Sequence, residues 1–200
     1  MPSALASFKY PDWVAEVSPA EVTAQQQRDR QQKQEEGVTK EGEDGNEEGE
    51  DIPWRLEVLK NGVPLGFESL MDKSVFVVGR QAPRTGSGGS TGSDLLLEHP
   101  SISRIHAIFL HHRNGQLFLV DLCSTHGTKV NKRPLPKYRS DQQQDDANCT
   151  EIRPGDMIRF GESTRSFLVH GPERFRPPEL ESDNMARVRS QLNERRAKQE

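Results

Sequence analysis

The chain has 200 residues, of which 32% are hydrophobic and 29% charged, too little apolar matter for one packed core to engage the whole length. It holds no run of 18 apolar residues, which excludes a membrane-spanning helix. Two cysteines and a start, MPSALASFKYPDW, where no secretory signal is expected point to a reducing compartment without a disulfide framework or a four-cysteine zinc site, and a net charge of −4 excludes a chain that is basic throughout.

Charge divides the chain into three. Residues 1–51 carry 5 Lys+Arg against 13 Asp+Glu, residues 52–172 carry 15 against 12, and residues 173–200 carry 7 against 6. The head is therefore expected to be disordered, above all EEGVTKEGEDGNEEGED at 35–51, where like charges repel and little can be buried. The Gln-rich run 24–34 suits a transient helix. Trp13, Val14 and Val17 form a short apolar spot, either incidental or a linear motif that docks on a partner.

From Ile52 the pattern changes to short β-rich runs between turn residues. Residues 56–59 alternate with charge, and 75–78 (VFVV) is a continuous apolar run that stops at Gly79. Leu95-Leu96-Leu97 follows a Gly/Ser loop at 85–93. Residues 105–110 and 117–122 flank Arg113-Asn114-Gly115, which reads as a hairpin turn. Further runs lie at 128–130, 157–160 and 167–169, with a polar insertion at 138–150. No sustained 3.6-residue period occurs between 52 and 172, so the fold class is all-β, a sandwich or barrel. In the tail, Arg176-Pro177-Pro178 stops the sheet. Met185, Val188 and Leu192 then fall at helical spacing, predicting a polar C-terminal helix with Ser182 or Asp183 as N-cap. It meets no stop signal before Glu200, as expected of a piece of a longer protein.

The chemically informative residues gather at strand ends. Arg80 follows the 75–78 run. Ser103 and Arg104 precede the next, and Ser124, Thr125 and Gly127 follow 117–122. Two arginines and several hydroxyls on adjacent loops suit an anion, because Arg offers a planar fork and Ser and Thr give short hydrogen bonds. Main-chain N–H groups of the STHG turn can add donors. Asp94 and Glu98 are alternative partners for Arg104.

In order, Gly79-Arg80, Ser103-Arg104-Ile105-His106, Ser124-Thr125-His126-Gly127-Thr128, Asn131, Gly155-Asp156 and Phe160-Gly161 resemble the motif series of the forkhead-associated (FHA) domain. The resemblance covers 52–172. It implies a β-sandwich of about eleven strands whose apical loops bind phosphothreonine, with no catalysis and no cofactor. Carried over residue by residue, Arg80 and Ser103 contact the phosphate. Arg104 and Thr125 support the phosphopeptide, and His126 stands where the family has an Asn that bonds the peptide main chain. Gly79, His106, Gly127 and Asn131 are structural supports of the site. The partner implied is a phosphothreonine-containing protein, met by a monomeric adaptor in the nucleus, with the cytoplasm as a second compartment and a link to RNA processing; a phosphate-independent interaction domain is the alternative.

Other chemistries fit poorly. Asp121, Ser124 and His126 include triad residue types, yet their spacing gives no reason for Ser to meet His while His meets Asp. Cys123 beside His126 reads as structural rather than as an activated thiolate. His111 and His112 point to opposite faces of a strand and nothing completes a metal set, so no metal is expected. The Gly/Ser loop lacks the Lys of a P-loop. The tail's arginines alternate with acids and no aromatic residue, so direct nucleic-acid binding is not expected.

Overall fold

The computed structural model describes residues 5, 8–25, 28, 52–82, 92–138 and 148–177. The strands in chain order are β1 (Arg55–Lys60), β2 (Val63–Ser69), β3 (Val75–Gly79), β4 (Leu95–Leu96), β5 (Ala107–His111), β6 (Leu117–Asp121), β7 (Thr128–Val130), β8 (Arg133–Pro134), β9 (Thr150–Ile152), β10 (Met157–Phe160) and β11 (Arg165–His170). They form two sheets, one ordered β2-β1-β11-β10-β7-β8 and one ordered β4-β3-β5-β6-β9. The expected all-β sandwich of eleven strands is present. The tail helix, residues 85–91 of the Gly/Ser loop and most of the polar insertion fall outside the described residues.

The inner faces bury Leu56, Ile158, Phe160 and Phe167 from one sheet against Phe76, Val78, Phe109, Leu117 and Leu119 from the other. Phe160 is central: its ring lies 6.4 Å from Phe109 and 5.4 Å from Phe167, edge-on to both. Full burial of each such side chain contributes about 1.5–3 kcal/mol.

The five-stranded sheet is buried on both sides, which explains why β3, β5 and β6 read as continuous apolar runs rather than alternating ones. Its outer face holds Val77, Ile108, Leu110, Val120 and Leu122. What covers them includes the chain's own N-terminal segment. Phe8 is buried and meets Tyr138 edge-on at 4.9 Å. Trp13 stacks on His112 at 5.2 Å and lies 4.7 Å from Phe118. Val14 bridges to His112, and Ala15 N–H donates to the His111 carbonyl at 2.8 Å. A short helix at 19–25 follows. Ser18 and Glu21 cap it reciprocally: Ser18 N–H reaches the Glu21 carboxylate at 2.9 Å, and Glu21 N–H reaches Ser18 Oγ at 3.3 Å. Disorder expected for all of 1–51 therefore does not extend to 8–25. Its apolar residues are few, but they fall where the sheet's outer face needs them. The acidic stretch 29–51 lies outside the described residues.

Three strands escape the sequence pattern. β2 contains Pro64 and Gly66, both poor strand formers, and survives because it is the sheet edge. The Asn61-Gly62 turn before it, with φ of 52° and 82°, is the hairpin signal that marks it. β8 and β9 are only two and three residues long.

Two expectations follow. Phe8→Ala should destabilise the folded chain by about 3–5 kcal/mol, the usual cost of deleting a buried aromatic ring, as measured by chemical denaturation; an unchanged midpoint would mean that the N-terminal segment adds nothing to the sandwich. The second concerns His111. It is buried with Nε2 on the Leu70 carbonyl at 2.6 Å, and burial pushes its pKa down to about 4. The unfolded chain, with an ordinary imidazole near 6.5, takes up this proton first as pH falls. Stability should therefore drop by about 3 kcal/mol between roughly pH 6.5 and 4. His111→Gln should flatten that slope, and an equally steep slope in the variant would refute the assignment.

Candidate functional site

The end of the sandwich where β3 finishes is built around close backbone contact. A Cβ on Gly79 would lie 2.2 Å from the Arg104 carbonyl oxygen and 2.6 Å from Ser93 Oγ, so only glycine lets β3 meet the loop before β5. Arg80 N–H donates to the Ser103 carbonyl and Gln81 N–H to the Arg104 carbonyl, both at 3.1 Å. The backbones of Arg80, Ser103 and Arg104 are thus fastened together. The two arginine side chains are exposed and make no ion pair among the described residues. Asp94 is taken by Lys73 and by Val77 N–H at 2.8 Å, so it does not neutralise Arg104.

Beneath this rim sits a fully buried pair, His106 and Asp121. Ser103 N–H donates to His106 Nδ1 at 3.1 Å, which leaves the ring proton on Nε2, where it donates to the Gly127 carbonyl at 3.2 Å. One imidazole therefore ties the β4–β5 loop to the β6–β7 loop. Burial holds the His106 pKa below its ordinary value; the Asp121 charge, with Oδ2 3.9 Å from Nε2, pulls the other way. The ring edge also packs on Phe160 at 5.7 Å. Asp121 accepts from Ser124 N–H, Ser124 Oγ and Thr128 Oγ1, each at 2.7 Å. These bonds shape the β6–β7 loop, in which Gly127 has a φ of 73°. The Gly127 carbonyl also accepts from Gly161 N–H at 2.8 Å.

The loop so formed brings Thr125 and His126 to the surface beside Ser103. Thr125 N–H donates to Ser103 Oγ at 3.2 Å. That occupies a lone pair and leaves the Ser103 hydroxyl proton free to reach outward. The exposed surface offers guanidinium, hydroxyl and imidazole groups, while the Asp121 carboxylate beneath it is buried and accepts three hydrogen bonds. Such a surface can hold an anion through several charge-assisted hydrogen bonds.

Arg80, Ser103, Arg104, Thr125 and His126 lie on these adjoining loops, with Gly79, His106 and Gly127 below them. Asn131 is not with them. It sits in the β7–β8 turn at the other end of β7, where its amide binds Asp156 Oδ1 at 2.7 Å and Met157 N–H at 3.0 Å. It braces the Gly155-Asp156 turn rather than the site. Sequence reasoning missed the part played by Asp121 and Thr128. Their signal was the spacing Asp121, Ser124, Thr128 after a strand, an acid followed by two hydroxyls in one turn. Ser124 is spent on Asp121, not on a histidine.

A two-sheet sandwich that gathers guanidinium, hydroxyl and imidazole groups on the loops at one end has the architecture of an interaction module. The sequence profile of the FHA domain matches residues 76–161, and the chain belongs to the FHA domain family. It is 36% identical to human kanadaptin over 138 residues, 64% of this chain and 16% of kanadaptin. It is 30% identical to human nuclear inhibitor of protein phosphatase 1 over 91 residues, 45% of this chain and 23% of the inhibitor. The chain thus spans less than a quarter of either protein. Among solved structures, full-length yeast Pml1p superposes with a TM-score of 0.53 at 17% identity, covering 82% of this chain and 98% of Pml1p; that likeness is one of fold.

His106→Ala should lower stability by about 1–3 kcal/mol, the cost of lost volume and of the hydrogen bonds joining two loops. Asp121→Asn should cost at least as much, because an amide cannot accept all three bonds. Thermal melts of both variants check this; unchanged midpoints would show that the pair does not hold the loops.

Proposed function

We propose that the chain reads phosphothreonine in a partner protein, as a non-catalytic adaptor that uses no cofactor. The observation that carries this is the pair of exposed arginines, Arg80 and Arg104, which make no ion pair among the described residues and whose strand end and loop are fastened together beside Ser103 by backbone hydrogen bonds. A phosphate brings about −1.5 to −2 charges and three acceptor oxygens. Arg80 supplies a planar fork and Ser103 a short neutral donor. Arg104 and Thr125 flank them, and His126 offers ring nitrogens to the peptide main chain. Membership of the FHA family supports the same assignment of roles. A nuclear protein, in the company of RNA-processing factors, is part of the proposal. The support for the nucleus is the similarity to the human nuclear inhibitor of protein phosphatase 1.

A phosphopeptide complex of micromolar affinity has only about 8 kcal/mol of binding energy. Each charge-assisted bond at the site contributes on the order of 1.5–3 kcal/mol. Arg80→Ala and Ser103→Ala should therefore push binding towards undetectable while leaving the fold intact. Arg80→Lys should fail too, because an ammonium cannot reproduce the fork. Calorimetric titration of a phosphothreonine peptide and its unphosphorylated twin tests this. Equal binding of both peptides by wild type, or normal binding by Arg80→Ala, would favour a phosphate-independent interaction domain instead.

A further inference from the structure

A second pocket lies at the same end of the sandwich, beyond the loop that carries Ser103. Its floor is Leu97 and Ile102, both buried. Lys60, ending β1, and Arg165, opening β11, stand on its rim, directly opposite each other in the antiparallel ladder. Like charges so placed repel, and neither has an ion-pair partner among the described residues. Glu98 shares the rim without pairing to either.

The rest of the wall consists of hydrogen-bond donors. His99 Nδ1 accepts from Ser101 N–H at 3.2 Å and lies 2.8 Å from Ser101 Oγ. Ser101 Oγ itself accepts from Glu162 N–H at 2.9 Å, so its own proton goes to His99. The neutral ring must then carry its proton on Nε2, which has no partner among the described residues. Ser163, buried, accepts the Arg165 N–H at 3.1 Å and keeps its hydroxyl proton unspent. Thr164 adds another hydroxyl. Two cations, a ring N–H and two hydroxyls line one pocket, and no acid among the described residues pairs with either cation. This is the donor set of an oxyanion site, and a phosphate has enough acceptor oxygens to use it. Only Ile102 separates Ser101, which orients His99, from Ser103 of the first site.

We propose that this pocket binds a second phosphate, carried on the same peptide strand as the phosphothreonine; the inference rests on the phosphothreonine reading above. Two joined contacts raise affinity without any new interaction at the first site.

The test has two arms, both on the full chain. In the first, inorganic phosphate is titrated into isotopically labelled wild type, Arg80→Ala and the double variant Lys60→Ala/Arg165→Ala. The signals of His99 and Thr164 should move in the first two proteins and stay still in the double variant. In the second, phosphothreonine peptides carry another phosphorylated residue roughly two to six positions to either side, within reach of an extended chain. Wild type should bind the best doubly phosphorylated peptide about tenfold or more tightly than the singly phosphorylated one. The double variant should lose that gain while binding the singly phosphorylated peptide as wild type does. Still signals at His99 and Thr164, a gain that survives in the double variant, or an equal gain from glutamate at the same position would each overturn the second phosphate. If no phosphopeptide binds while phosphate still moves His99, the phosphothreonine reading has failed and the two-phosphate peptide falls with it.

Discussion

A buried, neutral imidazole decides the geometry of this protein's working end. His106 accepts from one loop through Nδ1 and donates to the next through Nε2. A protonated ring would lose the acceptor and drop the Ser103 backbone. Burial favours its neutral form, while three donors surround the Asp121 carboxylate. Unpaired, that charge would be costly in the interior; here it shapes the turn that presents Thr125 and His126. The groups exposed around it are guanidinium, hydroxyl and imidazole. An anion would meet donors there because Asp121 is hidden as much as because the arginines stand outside.

That end can be rigid only if the sheets beneath it are. β5 and β6 lead into the two loops that His106 joins, and both are buried on both faces. The inner face packs on Phe160, which also supports the His106 ring. The outer face is covered in part by Phe8, Trp13 and Val14. The N-terminal segment is therefore part of the folding unit, although it is separated from β1 by a long acidic stretch. Cost and benefit fall on different sides: that stretch adds loop-closure entropy, which grows only slowly with length, whereas a single buried aromatic ring outweighs it.

Much of this was legible from residues alone. Gly79-Arg80 and Ser103-Arg104-Ile105-His106 pointed to strand ends with an anion-binding character. Their joint order along the chain singled out a fold that no one motif could. The continuous apolar runs at β3 and β5 also held a clue that was not used, since strands buried on both faces need a second cover. Trp13 and Val14 stood out as an apolar spot, but neither they nor Phe8 could be recognised as that cover, because their partners lie about a hundred positions away. Asn131 misled for the opposite reason. It is near the site in sequence, but a three-residue strand carries it to the far turn. β2 was hidden by Pro64 and Gly66, residues whose penalty an edge strand escapes. The role proposed for His99 was invisible, since it depends on a tautomer set by the hydrogen bonds of Ser101.

The most direct measurement is a structure of the full chain bound to a phosphothreonine peptide selected from an array. The phosphate oxygens should lie about 3 Å from the Arg80 guanidinium and the Ser103 hydroxyl, with the bonds from His106 to Ser103 and Gly127 unchanged from the free protein. A phosphate seated away from Arg80 and Ser103, or loops that reach it only by breaking the His106 bonds, would contradict the account.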